Sequence, residues 1–315
     1  MAFFLVSDSG MQRTQLVDVD AADFRADALE TRLYYVGAGE AIVVSRNHGR
    51  AAILIDGGAA QSRTNKKRAR PLGRRLKDGS LHAIVASHPQ TDHTNFHATL
   101  AREFERKFAP GARYFDNGTA LATERFNSLA AVGDLPFERV AVDDDRSQDK
   151  VNRTRGLGRD VDVRMLRLGR PKTDPRYRSV LVWIKFREAR LLFAGHAEVG
   201  YEEELLPRLN RISKRAHLLK VTRHGNRAGT SVKLVRALRP AIAIVSSHRG
   251  KGHGLDKQVR RRLAGVRIYA TNDPARRKRG DVIVRTDGLT WSDGDNEGIL
   301  FEVELDDRPK LGRVR

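Results

Sequence analysis

The chain contains no cysteine among its 315 residues. Disulfide scaffolds, zinc ribbons and thiol catalysis are therefore excluded. Long apolar runs are also missing, the longest being short pieces such as 241–245. Nothing approaches the roughly 18 consecutive apolar residues of a membrane-spanning helix. The start, Met1 to Gly10, lacks a basic region and a small-residue cleavage site, which argues against a secretory signal. We expect a cytoplasmic protein without membrane contact. Negative charge is scarce as well: 39 acidic residues face 59 basic ones, a net charge of +20. Of those basic residues 45 are arginine, a balance that a GC-rich genome alone can produce. Their bunching points further, because clustered cations attract phosphate backbones by counterion release. Lys66, Lys67, Arg68, Arg74 and Arg75 form one group, and Arg276, Arg277, Lys278 and Arg279 another. Nucleic acid is the partner this pattern predicts.

Hydrophobic patterning gives the organisation. Leu33–Val36, Ala41–Ser45 and Ala51–Ile55 read as a β-meander punctuated by glycine-containing turns, and His82–Ala86 as a buried strand. Phe96, Leu100, Phe104 and Phe108 recur at helical spacing, predicting one helix over 95–108. A helix over 119–131 and a loop over 143–160 follow. Strands over 161–168, 180–186, 191–194, 217–221 and 241–246, helices over 199–209 and 231–238, and closing strands at 267–270, 281–285 and 299–303 complete a second half. Two halves of strands followed by strand–helix alternation predict two sheets packed face to face with helices outside. The boundaries read as an N-terminal extension over 1–30, a main domain over 31–290, and a C-terminal strand with a basic tail over 291–315.

The segment richest in chemistry is 83–93, in which an apolar strand delivers His88, Asp92 and His93 into a loop before a helix. Ligand-capable side chains at a strand terminus are held on a rigid base. Taken singly, each is as well explained as a surface histidine or a helix cap; the group is not. His88-x-x-x-Asp92-His93 resembles the signature loop of the metallo-β-lactamase fold, usually His-x-His-x-Asp-His. Tyr35–Ala41 and Ile53–Gly58 resemble the family's opening strands, and Ser179–Glu198, Leu219–Gly225, Pro240–Ser246 with Gly252-His253-Gly254, and Tyr269–Gly288 resemble its later segments in order. The set is similar to the hydrolase domain of ComEC-type competence proteins and their soluble relatives, over about residues 31–288.

The resemblance implies an αββα four-layer sandwich, an α/β fold, with a divalent metal site, zinc or manganese, at one edge. It assigns His88, position 90 and His224 to one metal, Asp92, His93 and His253 to another, and a bridging carboxylate to position 196. Here position 90 is Gln and position 196 is His. A neutral amide is a weak ligand, and an imidazole with one free lone pair cannot bridge two ions. One metal per chain is therefore expected, through Asp92, His93, His196 and His253, with Gln90 and Asp56 as outer partners.

Asp92 would orient a metal-bound water, and Arg223, where the family usually has His, would hold a phosphate oxygen. Arg223 reads equally well as an ordinary surface arginine. Lys220, on the preceding strand, could hold a phosphate oxygen in the same way or be a solvated strand-end lysine, and His97, four residues after His93, could bind metal or be a capping or surface residue. The resulting expectation is a metal-dependent phosphodiesterase, a nuclease acting on DNA or RNA. Its alternative is a catalytically impaired nucleic-acid-binding or regulatory subunit. An ATPase partner and a role in antiviral defence are conceivable from such relatives.

Overall fold

The computed structural model describes residues 2–7, 10–13, 21–59, 65–118, 135–142, 153–168, 178–212, 215–248, 254–273, 278–293 and 296–306. The helix expected over 119–131 lies outside them. Two large sheets face each other. The first runs, in spatial order, Gly10–Arg13, Ala2–Ser7, Asn296–Asp306, Asp281–Thr286, Leu29–Leu33, Ile42–Arg46, Ala51–Ile55, Leu81–Val85, Phe108–Asp116 and Glu138–Ala141, with Thr290–Asp293 also pairing to Asn296–Asp306. The second runs Arg267–Ala270, Ile242–Val245, Leu218–Lys220, Ala189–Phe193, Val180–Phe186, Val161–Arg167 and Arg153–Thr154.

Apolar side chains of both sheets, among them Val44, Ile53, Val85, Val182, Phe193 and Ile244, fill the interface between them. Helices Asn65–Arg75 and His97–Glu103 cover part of the outer face of the first sheet through Leu72, Phe96 and Leu100. Helices Val199–Ile212 and Val232–Leu238 cover the second through Leu205, Leu209 and Leu234. These four layers are the expected αββα sandwich. The N-terminal residues 2–7 and the C-terminal residues 296–306 pair antiparallel within the first sheet.

One predicted helix divides. Residues 91–94 and 97–103 are helical, and Phe104 leaves the helix at φ −136°, ψ 34°. Phe108 begins a nine-residue strand instead of ending the helix. Its helical spacing was coincidental, since Pro110 and Gly111 follow immediately and oppose helix continuation. Phe104 still packs where the pattern put it, against helix Asn65–Arg75. A Cβ on Gly73 would stand 2.6 Å from the Phe104 ring, so that contact requires glycine.

Both sheets contain parallel pairs: Ala51–Ile55 with Leu81–Val85 in the first, and Ala189–Phe193 with Leu218–Lys220 and then Ile242–Val245 in the second. Their carboxyl ends meet at one edge of the sandwich. Loops leaving such ends are where open α/β sheets place their sites.

Candidate metal centre

Five strands deliver the cluster. Strand Ala51–Ile55 ends in Asp56, Leu81–Val85 leads to Ser87, His88, Asp92 and His93, Ala189–Phe193 to His196, Leu218–Lys220 to His224, and Ile242–Val245 to Ser246. The segment 92–93 is clamped by neighbouring backbone: Glu40 N donates to Asp92 O at 3.1 Å, and Gly57 N to His93 O at 2.6 Å. A Cβ on Gly58 would lie 2.4 Å from the Asp92 carbonyl carbon. The close approach that fixes the ligand loop thus depends on glycine.

Asp92, His93 and His224 converge. His93 Nε2 and His224 Nε2 are 3.3 Å apart, and Asp92 Oδ2 lies 3.6 Å from the first and 3.4 Å from the second. The outer nitrogens fix the tautomers. His93 Nδ1 meets Asp56 Oδ2 at 2.7 Å, so it donates to the carboxylate and leaves its Nε2 lone pair facing inward. His224 Nδ1 faces Ser246 Oγ at 3.3 Å and Glu40 Oε2 at 3.8 Å. Two inward lone pairs and a carboxylate oxygen in mutual contact suit a cation. A tetrahedral ion about 2.1 Å from each ligand sets them about 3.4 Å apart, which is the spacing seen. The donor set therefore fits a divalent metal.

His224 reaches this position through backbone strain. Arg223 (φ 49°) and His224 (φ 54°) both occupy the left-handed region, at a cost of order 1 kcal/mol each. The surrounding loop holds them there. Buried Glu202 accepts from Thr230 N at 2.5 Å and Ser231 N at 2.7 Å. The Arg262 guanidinium donates to the carbonyls of Arg227 and Gly229 at 3.0 and 2.9 Å.

His88 and His196 stand beside this triad, their rings 4.3 Å apart. With His93 they form a second grouping whose ligand atoms lie within 4.8 Å of one another. Gln90 Oε1 sits 3.1 Å from His88 Nε2, so the amide engages the nitrogen that His88 would offer an ion. His196 Nδ1 is buried without a hydrogen-bond partner among the described residues. Burial, then the neighbouring imidazoles of His88, His93 and His224, holds His196 far below the usual imidazole range. Burial also lowers His88 and His93. Burial opposes ionisation of Asp92, but His93 and His224 outweigh it and keep its carboxyl well below the usual range. At neutral pH His88, His93 and His196 are thus neutral beside an ionised Asp92.

Of the expected set Asp92, His93, His196 and His253, the structure brings Asp92 and His93 together, while His196 stands in the second grouping. The tightest grouping takes His224 in place of His196, because the left-handed turn swings the His224 ring onto His93. His253 lies outside the described residues. Arg223 is not free at the site mouth, since its guanidinium pairs with Glu198. Lys220 is not solvated: it is fully buried and pairs with buried Glu40. Burial pushes Glu40 up to about 8, with Lys220 pulling against it. His97 is neither cap nor surface residue, being fully buried with Nδ1 2.9 Å from the Tyr114 hydroxyl. Asp56 accepts from Ser87 N at 2.7 Å and Ser87 Oγ at 2.8 Å as well as from His93.

Glu40, Glu198 and Ser87 were not singled out from sequence. A usable signal existed for Glu40: a lone Lys220 in the apolar run 218–221 requires a buried counter-charge. Of the basic clusters, Lys66, Lys67 and Arg68 lie on helix Asn65–Arg75, but their side chains fall outside the described residues, as do Arg276, Arg277 and the Lys278 side chain. Arg74 and Arg279 are exposed, and Arg75 is half-buried.

The metallo-beta-lactamase superfamily profile matches residues 34–248. No curated protein sequence matches significantly. Among solved structures the chain is similar to the metallo-beta-lactamase fold protein YhfI from Bacillus subtilis, at 12% identity over 77% of this chain and 96% of that one, with a TM-score of 0.49. It is similar to the short form of human tRNase Z at 14% identity, over 68% and 92% of the two chains and a TM-score of 0.45. Similarity to CmlA, a diiron beta-hydroxylase from Streptomyces venezuelae, is 16% over 78% and 47%, with a TM-score of 0.46.

Proposed function

Because the chain belongs to the metallo-beta-lactamase superfamily, whose profile spans 34–248, we propose that it is a phosphodiesterase using one divalent metal held by Asp92, His93 and His224, and that its substrate is nucleic acid. We further propose that it is a soluble relative of the ComEC-type hydrolase domain, a reading that the order of its segments supports, and that it acts in the cytoplasm. When bound, zinc or manganese supplies an activated water and an electrophile for a phosphoryl oxygen.

One observation carries the reading: Asp92 is the sole carboxylate in the converging triad, so a dication held there keeps a net charge of +1. Among the described residues the neighbouring acids are otherwise engaged. Glu40 is paired with Lys220 and Glu198 with Arg223, while Asp56 is fully buried behind His93. An anionic phosphodiester complements such a centre better than a neutral ester does. Asp92, whose side chain is 15% exposed, orients the attacking water through its second oxygen. Arg223, 25% exposed and paired with Glu198, adds a positive charge near His196 that favours an anionic substrate. His196, uncharged at neutral pH, adds no negative charge where the family carries a bridging carboxylate.

The test is cleavage of bis(p-nitrophenyl) phosphate and of labelled DNA and RNA by zinc- or manganese-loaded protein. Chelator-sensitive cleavage that Asp92→Asn abolishes supports the reading, and cleavage that survives either treatment contradicts it. The Gln90 amide on His88 favours one second reading, a nucleic-acid-binding subunit with an impaired centre. Stoichiometric nucleic-acid binding without cleavage under any metal would establish that role instead.

A further inference from the structure

A cavity of about 810 Å³ lies on the outer face of the first sheet, beside helix Asn65–Arg75, and shares no lining residue with the metal centre. Its floor is apolar, formed by Tyr34, Val43, Ala52 and Leu76 of the layer that the helix partly covers. Its rim is cationic: Arg25, Arg32, Arg46, Arg75 and Arg285 line it. Glu30 and Glu304 are the acids among the lining residues.

These arginines divide into two kinds. Arg285 is committed to Glu30, Glu302 and Glu304 at 2.7–3.1 Å. Arg46 is tied to Asp27 and Asp160, and Arg25 to Glu302. Arg32 and Arg75 are held by longer ion-pair contacts, and Arg75 also hydrogen-bonds the Tyr34 side chain. Each lies 3.7 Å from the same buried carboxylate oxygen, Asp281 Oδ2, beyond hydrogen-bond length. Arg32 adds a long hydrogen bond of 3.4 Å to Glu30 Oε1, whose other oxygen accepts from Arg285, and a contact of 3.9 Å to Asp306. Arg75 Nη1 is buried with no hydrogen-bond partner among the described residues. The two guanidinium groups flank the Tyr34 ring, at 5.9 and 5.6 Å from its centroid. The exposed turn Asn47–Gly49 forms one lip and places His48 there.

Paired guanidinium donors above an apolar and aromatic floor match a nucleotide unit, with its flat base and anionic phosphate. We infer that this groove is a second binding site that takes a nucleotide phosphate on Arg32 and Arg75, either free or within a polynucleotide chain. The site is separate from the metal centre, so it stands whether or not the phosphodiesterase reading holds.

The experiment measures fluorescence anisotropy of labelled dT12 in EDTA, which removes the metal centre from the readout. Arg32→Gln and Arg75→Gln are each expected to weaken binding about tenfold and to lower the salt slope by about one. Arg75→Lys, which keeps the charge beside Asp281 but loses the fork, should lie between. Arg236→Gln, on an exposed helix of the opposite layer, should change affinity less than about twofold. Competition by AMP identifies a free-nucleotide site; displacement by unlabelled dT12 alone identifies a polynucleotide site. Equal losses in Arg236→Gln and the groove variants, or no binding of either probe at low salt, would overturn the inference.

Discussion

Replacing Asp92 by Asn keeps the shape of the ligand loop and removes the only carboxylate from the Asp92–His93–His224 triad. The expected loss can be bracketed from the structure. Asp56 does not join the triad, but it fixes His93 through a 2.7 Å contact. Outer partners of this kind typically contribute about 10- to 100-fold in metal affinity. Asp56→Asn should fall in that window. Asp92→Asn removes a direct donor within 3.4–3.6 Å of both imidazoles and leaves only neutral ligands, so its loss should exceed about 100-fold. Competition with a chromophoric zinc chelator at pH 7 measures both affinities, and far-ultraviolet circular dichroism checks that both variants fold. The order matters as much as the size. If Asp56→Asn costs more than Asp92→Asn, or if Asp92→Asn costs less than about tenfold, the triad is not the metal site.

Other expectations follow from the buried charges. Burial lowers His97 from 6.5 to about 4, so the folded state resists its protonation. The unfolded state binds the extra proton, and stability is full above pH 6.5 and lost as pH falls towards 4, by up to about 3 kcal/mol. Urea denaturation of metal-free protein at pH 7 and pH 5 should show a shallower acid loss in His97→Gln; an unchanged slope would refute this. Lys220→Met leaves the Glu40 carboxyl, which burial favours in its protonated form, without its partner and should destabilise by about 1–3 kcal/mol, and adding Glu40→Met, which removes the stranded oxygens, should recover most of that loss in the same assay. His196→Asp, which restores a carboxylate beside His88 and His93, should raise zinc occupancy from one towards two by elemental analysis. Unchanged occupancy would mean that position 196 does not face both groupings.

Much of the sandwich was legible because its strands are short apolar runs separated by glycine turns, and because 83–93 places His88, Asp92 and His93 directly after such a run. What sequence could not show was rotation about the backbone. His224 enters the Asp92–His93 group only through two consecutive left-handed residues, and Arg223 turns away to Glu198 in the same step. Pairings across the fold were equally hidden. Glu40 and Lys220 are 180 residues apart in sequence, and only the packing of one sheet on the other joins them. The Phe96–Phe108 spacing misled for a related reason: Phe108 packs from a strand, so its burial carries no helical information.

A single metal on Asp92, His93 and His224 is tested by X-ray absorption at the zinc edge together with zinc content per chain. One zinc per chain is expected, with nitrogen and oxygen neighbours at about 2.0–2.1 Å, two of them imidazoles, and no metal–metal distance. Two zinc ions per chain with a metal–metal distance of about 3.5 Å would contradict it, and would return His88 and His196 to the working centre.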